Sequence, residues 1–293
     1  MCQVIAEIGW NHMGNMGLAE KMIQEASKAG ANYAKFQSWA VKNLKPGPWD
    51  ADGRRQIYEK AELDEDKHKH LMKICDDNNI EFLTSVFCKE DAERVAALGC
   101  TKVKIPSTEI ANIPLLEYVN VYFNDIFISC GAATFDEIRT ALLTLKKSRY
   151  NIHTQPGDKI EMPGQYANVT LLHCVSSYPC PFDKVNLPRI ERLRNQFGGM
   201  SNALGLQFGY SGHGTGIHDA IASLEYGASL IEKHFTIDND LPGRDNKFAI
   251  LPHELKELST YIRNRWDMQK GICSQYDPAE EEARNVYRGR WQS

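Results

Sequence analysis

The chain has no apolar stretch long enough to span a bilayer, and its first residues, MCQVIAEIGW, lack the basic start and extended apolar run of a secretory leader. It also lacks a positive excess: 34 Lys and Arg stand against 38 Asp and Glu, a formal net charge of -4. No nucleic-acid surface and no anionic membrane is therefore expected as a main partner, and an anionic small substrate would have to be held by local lysines. The lack of a leader and of a span leads to the expectation of a cytoplasmic chain, and eight cysteines with no C-x-x-C pair point to reduced, packed thiols. Nothing resembles a Gly-rich phosphate fingerprint after the first apolar run, where Gly9-Trp10-Asn11-His12 stands instead.

What is present is alternation. Short strand-like runs at 4–8, 33–37, 82–87, 102–105, 125–129, 169–174, 208–211 and 229–235 are interleaved with helix-period segments at 18–28, 64–78, 89–98, 113–121, 134–147, 187–196, 217–226 and 252–270. Thr134 reads as a helix cap. Strict alternation implies parallel strands with crossover helices, and eight of them can close into a TIM (β/α)8 barrel, the α/β class expected here; an open doubly wound sheet is the competing topology. The 293 residues suit one such barrel over 1–275 with a polar C-terminal tail at 276–293. Residues 38–63 read as a long irregular segment, and 148–168 as a polar insertion punctuated by Pro and Gly. Trp39 and Trp49 in the first of these either cover a ligand or fasten the loop.

In a barrel the chemistry gathers at the carboxyl ends of the strands. Those ends carry Glu7, Lys35, Gln37, Thr84, Ser85, Lys104, Ser107, Glu109, Ser129, Ser176, Tyr178, His213 and His234. Two lysines with several hydroxyls suit an anion bearing more than one charged group, such as a phosphate plus a carboxylate. The plainer alternative is that Lys35 and Lys104 pair with Glu7 and Glu109 to fill the barrel top. His213 and His234, on successive strands, would stand close enough to share a divalent metal, with water and substrate oxygens completing its shell. Asp245 lies on the loop after the second of these strands. His12 is expected to be structural and His173 a core residue, and Cys130 has no histidine placed beside it that would make it a nucleophile.

Seven segments then carry a likeness: AEIGWNH at 6–12, AGANYAKFQ at 29–37, VKIPSTE at 103–109, LHCVSSYPCP at 172–181, GYSGH at 209–213, IEKHFTID at 231–238 and PGRD at 242–245. In this order they resemble the sialic acid (N-acetylneuraminate) synthases, which condense phosphoenolpyruvate with N-acetylmannosamine or a related 2-acetamido hexose to give a nonulosonic acid and phosphate. The resemblance implies that Lys35, Ser85, Lys104, Ser107, Ser129, Ser176 and Ser211 hold phosphoenolpyruvate. It implies that His213 and His234 bind a divalent ion, usually Mn²⁺, with Mg²⁺ or Co²⁺ as substitutes. It also implies that Glu7, Gln37, Tyr178 and Asp245 face the sugar; Glu109 is the candidate for steering or deprotonating the attacking water.

The chain departs from that pattern in three ways. Family members usually have Asp-His-Thr or Asp-His-Ser where Gly212-His213-Gly214 stands, and Pro-Gly-Pro-Asp-His where Pro242-Gly243-Arg244-Asp245-Asn246 stands. Most continue into a small antifreeze-like domain that reaches across a homodimer, so a separate protein supplying that domain is one expected partner. Three alternatives stay open at this point: a related barrel synthase with a sugar-phosphate acceptor, a Schiff-base aldolase using Lys35 or Lys104, and a non-catalytic ligand-binding remnant.

Overall fold

A computed structural model describes residues 1–146, 167–200, 205–271 and 275–291. Eight parallel strands close into a barrel in sequence order: β1 (Gln3–Gly9), β2 (Tyr33–Ser38), β3 (Glu81–Val86), β4 (Lys102–Ile105), β5 (Asp125–Ser129), β6 (Asn168–Cys174), β7 (Gln207–Gly212) and β8 (Leu230–His234). The β1–β8 pairing, Gln3 with Leu230 through Glu7 with His234, shuts the ring. The open-sheet topology is thereby excluded. The polar insertion expected at 148–168 lies outside the described residues, apart from its last two, of which Asn168 opens β6.

Helices wrap the ring and end where the chain chemistry says they should. In α1 (Met16–Ala29) Asn15 accepts from the Leu18 N–H at the start, and Gly30, at φ 92°, closes the end in the left-handed conformation that costs a glycine nothing. At the helix Phe135–Leu145 the expected Thr134 cap is present as a reciprocal box, with Glu137 reaching back to the Thr134 N–H at 2.7 Å. The segment 38–63 departs from expectation, because it contains a helix at Arg54–Ala61. Its start has no side-chain cap and half of its residues are charged, so no periodic apolar face announced it. Trp39 is fastened to the Tyr58 carbonyl and Trp49 to that of Lys45, and both act as loop staples.

Because side chains alternate along a strand, each contributes to two cores. One set, including Val4, Ala34, Val103, Ile126 and Ile231, packs outward under the helices. The other points inward, where Ile5, Tyr33, Leu83, Phe127, Leu172 and Leu230 form a separate apolar layer across the barrel. That layer is the floor on which the polar mouth of the barrel is built. The seven described cysteines are all free, and no described helix is long and apolar enough to cross a membrane.

His12 and His173 are buried, one against Phe36, the other bonded through Nε2 to the Val185 carbonyl. Burial pushes both imidazoles down to about 4. The unfolded chain therefore takes up these protons first, so the stability they confer is complete above about pH 6.5 and is lost as pH falls toward 4. Each should cost about 1.4 kcal/mol per pH unit in that window. Urea midpoints at pH 7.0, 6.0 and 5.0 check this: His173→Gln should flatten the decline by one proton's worth relative to the parent, and parallel declines would contradict it.

Candidate active site

Two residues beyond the apolar floor, five of the six strands that build it turn polar and the sixth carries a thiol. Ile5 is followed by Glu7, Tyr33 by Lys35, Leu83 by Ser85, Phe127 by Ser129, Leu172 by Cys174 and Leu230 by Glu232. Parallel pairing sets these side by side, with Glu7 opposite Lys35, Ser85 opposite Lys104 and Ser211 opposite Glu232. The result is a charged layer in a cavity of about 910 Å³ at the carboxyl ends of the strands.

Its centre is a chain of buried ion pairs. Lys35 Nζ lies 2.7 Å from Glu7 Oε2 and 3.5 Å from Glu232 Oε2, and it donates to Ser85 Oγ at 2.8 Å. Lys104 Nζ donates to both Glu232 oxygens, at 2.9 and 3.0 Å, and Ser211 Oγ donates to Glu232 Oε1 at 2.8 Å. Burial works against every one of these charges. For Glu232 the two lysines outweigh it and hold the carboxyl far below its ordinary range. Lys35 is likewise held up by Glu232 and Glu7, whereas burial wins at Lys104, whose pKa falls. Glu7, which also accepts from Gln37 Nε2 at 2.6 Å, is pushed up by burial.

Around this centre stand hydroxyls. Ser107 Oγ accepts from the Gly131 N–H at 3.0 Å, and a Cβ on Gly131 would collide with Ser176 Oγ, so both serines crowd one bare stretch of backbone. Ser129 Oγ is buried with no partner among the described residues. An unpaired hydroxyl lining the same cavity as two ammonium groups is a donor waiting for an acceptor.

At the outer edge the His213 and His234 ring centroids are 5.3 Å apart, and the Tyr178 ring lies tilted over His213 at 4.0 Å. His213 Nδ1 lies 2.8 Å from the Val175 carbonyl, so it bears the proton and leaves Nε2 for another partner. Burial opposes charging of this ring, but the Cys174 sulfur at 3.9 Å and the Val175 carbonyl outweigh it and raise its pKa; a cation on the ring would displace that proton. Burial and the neighbouring His213 keep His234 well below its ordinary value. Its buried Nδ1 has no hydrogen bond, and Asp245 Oδ2 is 3.4 Å away. Two imidazoles with one orphaned ring nitrogen fit a divalent ion. Among the described residues no three His, Cys, Asp or Glu side chains form a closed cage, so other ligands would be water or substrate oxygens.

Of the candidates named from sequence, Glu7, Lys35, Gln37, Ser85, Lys104, Ser107, Ser129, Ser176, Tyr178, Ser211, His213, His234 and Asp245 all line this one cavity. Glu109 does not. The short 3-10 turn Ser107–Glu109 rolls it aside, and its carboxylate accepts from Asn112 Nδ2 at 3.0 Å while Asn112 caps the next helix. Lys104 accordingly pairs with Glu232, not Glu109. Glu232 was the residue missed, although its place two before His234 on one strand puts it on the same face. Trp10, Cys174, Arg54, Tyr58, Arg244 and Lys247 also line the cavity; Arg54 and Tyr58 sit on the unexpected helix.

Comparison with known proteins agrees with this architecture. Residues 22–272 match the NeuB family model. The chain is 38% identical over 271 residues to the N,N'-diacetyllegionaminic acid synthase of Campylobacter jejuni, covering 89% of this chain and 75% of that protein. It is 31% identical to the N-acetylneuraminate-9-phosphate synthase of Drosophila melanogaster, covering 89% of this chain and 67% of that one. The crystal structure of an N-acetylneuraminic acid synthetase from Leptospira borgpetersenii in complex with citrate superposes with a TM-score of 0.79 at 28% identity, covering 98% and 93% of the two chains. The chain belongs to the NeuB family, a TIM-barrel family that includes synthases of legionaminic and neuraminic-type acids.

Proposed function

We propose that the chain joins phosphoenolpyruvate to N-acetylmannosamine or a related 2-acetamido hexose, giving a sialic-acid-like nonulosonic acid and phosphate. The observation that carries this reading is the meeting of Lys35 and Lys104 with two imidazoles in one cavity. Lys35 and Lys104 would hold the carboxylate and phosphate of phosphoenolpyruvate, with Ser85, Ser107, Ser129, Ser176 and Ser211 donating to the remaining oxygens. Glu232 keeps both ammonium groups aimed inward. His213 and His234 would hold the divalent ion, which when bound acts as a Lewis acid toward the aldehyde of the open-chain sugar.

In the reaction C3 of phosphoenolpyruvate adds to the aldehyde carbon, and the aldehyde oxygen takes up a proton. Water then adds to C2, and the bond from C2 to the phosphate oxygen breaks, leaving a ketone and inorganic phosphate. With Glu109 turned away, Glu7 would handle the water's proton, since Glu232 is committed to both lysines and Asp245 lies beside His234. Burial raises its pKa, and Gln37 fixes its orientation. Asp245, Gln37 and Tyr178 line the outer half and would meet the sugar.

A second reading is favoured by one further observation. Arg54, Arg244 and Lys247 line the outer cavity; Arg54 is shared with Asp52 at 2.6 Å, and the other two have no ion pair among the described residues. Such a rim suits an acceptor carrying its own phosphate.

With phosphoenolpyruvate, Mn²⁺ and 2-acetamido hexoses, phosphate should be released in step with nonulosonic acid, and silence across a broad aldose panel would overturn the reading. Lys104→Met should lower kcat/KM roughly a hundred- to a thousand-fold while the protein stays folded. A chelator should stop turnover and Mn²⁺ restore it; trapping of a lysine adduct by borohydride would instead favour a Schiff-base aldolase. Arg244→Ala should raise KM at least about tenfold for N-acetylmannosamine 6-phosphate and leave the unphosphorylated sugar unchanged if the second reading holds.

A further inference from the structure

Between the two inward residues Glu232 and His234, strand β8 points Lys233 the other way, into the layer under the helices. Its side chain is 1% exposed, so it touches neither cavity nor solvent. All three ammonium hydrogens have acceptors: Asp219 Oδ1 at 3.0 Å, Asp219 Oδ2 at 3.1 Å and the Gly214 carbonyl at 2.7 Å. Asp219, at 0% exposure on the short helix His218–Ser223, also accepts from the Tyr210 hydroxyl at 2.9 Å. The bridge thus ties β8 to the turn that carries His213.

The glycines flanking His213 have the same cause. Neither Gly212 nor Gly214 has a positive φ, so conformational freedom does not explain them. Space does. A Cβ on Gly212 would come within 2.5 Å of the Tyr210 ring and 2.7 Å of Asp219 Oδ2, and one on Gly214 within 2.9 Å of that same oxygen. The backbone on both sides of His213 is moulded around the Asp219 carboxylate.

We infer that Asp219, acting through Lys233, is a positioning residue that fixes the His213 imidazole for its ligand. Neither residue reaches the reacting atoms; they clamp the Gly212–Gly214 turn so that Nδ1 stays on the Val175 carbonyl and Nε2 faces the cavity. The inference rests on the reading of His213 as a metal ligand, and its test includes a measurement free of metal.

Asp219→Asn keeps the shape and removes the charge. In metal-free protein labelled with ¹⁵N-histidine, the hydrogen-bonded Nδ1–H signal of His213 should be lost or shifted toward that of a free imidazole. The dissociation constant for Mn²⁺ should rise about ten- to a hundredfold, as when the outer partners of metal-binding histidines are removed, with phosphoenolpyruvate binding within twofold of the parent. If the variant melts earlier but keeps the parent's His213 signal and Mn²⁺ affinity, the bridge is structural only and the inference is overturned. Should Asp219→Asn fail to fold, Asp219→Leu combined with Lys233→Met leaves no uncompensated charge and is read by the same two measurements. A parent that binds no Mn²⁺ would overturn the metal reading, and the His213 signal would still decide the positioning role.

Discussion

Everything at the mouth of this barrel depends on the buried chain Glu7, Lys35, Glu232 and Lys104. Four charges inside a ring of strands are tolerable only when paired, since an isolated ion there costs far more than a fold can spare. The register of the ring supplies the pairing, because Glu7 stands opposite Lys35 on neighbouring strands and Glu232 reaches across to both lysines. The floor of Ile5, Tyr33, Leu83, Phe127, Leu172 and Leu230 excludes water from below and strengthens each interaction. Closing the barrel therefore also assembles this charged layer.

The arrangement separates two tasks by depth. The inner layer pairs two ammonium groups with two carboxylates and adds hydroxyls, Ser129 Oγ among them unpaired, which suits a small polyanion of constant shape. The outer layer holds the two imidazoles, Tyr178, Trp10, Tyr58 and the basic rim, which suits a larger, more variable sugar.

Much of this was legible in the sequence, for identifiable reasons. Alternating strand and helix periods gave the barrel, and the abrupt polarity of strand ends marked Lys35, Lys104, His213 and His234, since polar groups there have no place in a purely structural core. Glu232 was hidden because it sits inside an otherwise apolar strand whose end was already marked by His234. The helix Arg54–Ala61 was hidden because it buries only Ala61 and so leaves no apolar stripe. Glu109 lies off the cavity lining because a 3-10 turn adds a rotation that strand alternation does not foresee. The pairing of Asp219 with Lys233 is long-range chemistry on the far side of the strands, invisible to any local pattern.

The central claim, that the lysines and the imidazoles serve one bound assembly, is tested most directly by a crystal structure with phosphoenolpyruvate and Mn²⁺ bound together. The account predicts the phosphoenolpyruvate anion between Lys35 and Lys104, with Ser129 Oγ now bonded, and the ion on His213 Nε2 and a nitrogen of His234. Phosphoenolpyruvate lodged away from both lysines, or Mn²⁺ held by residues outside this cavity, would contradict it.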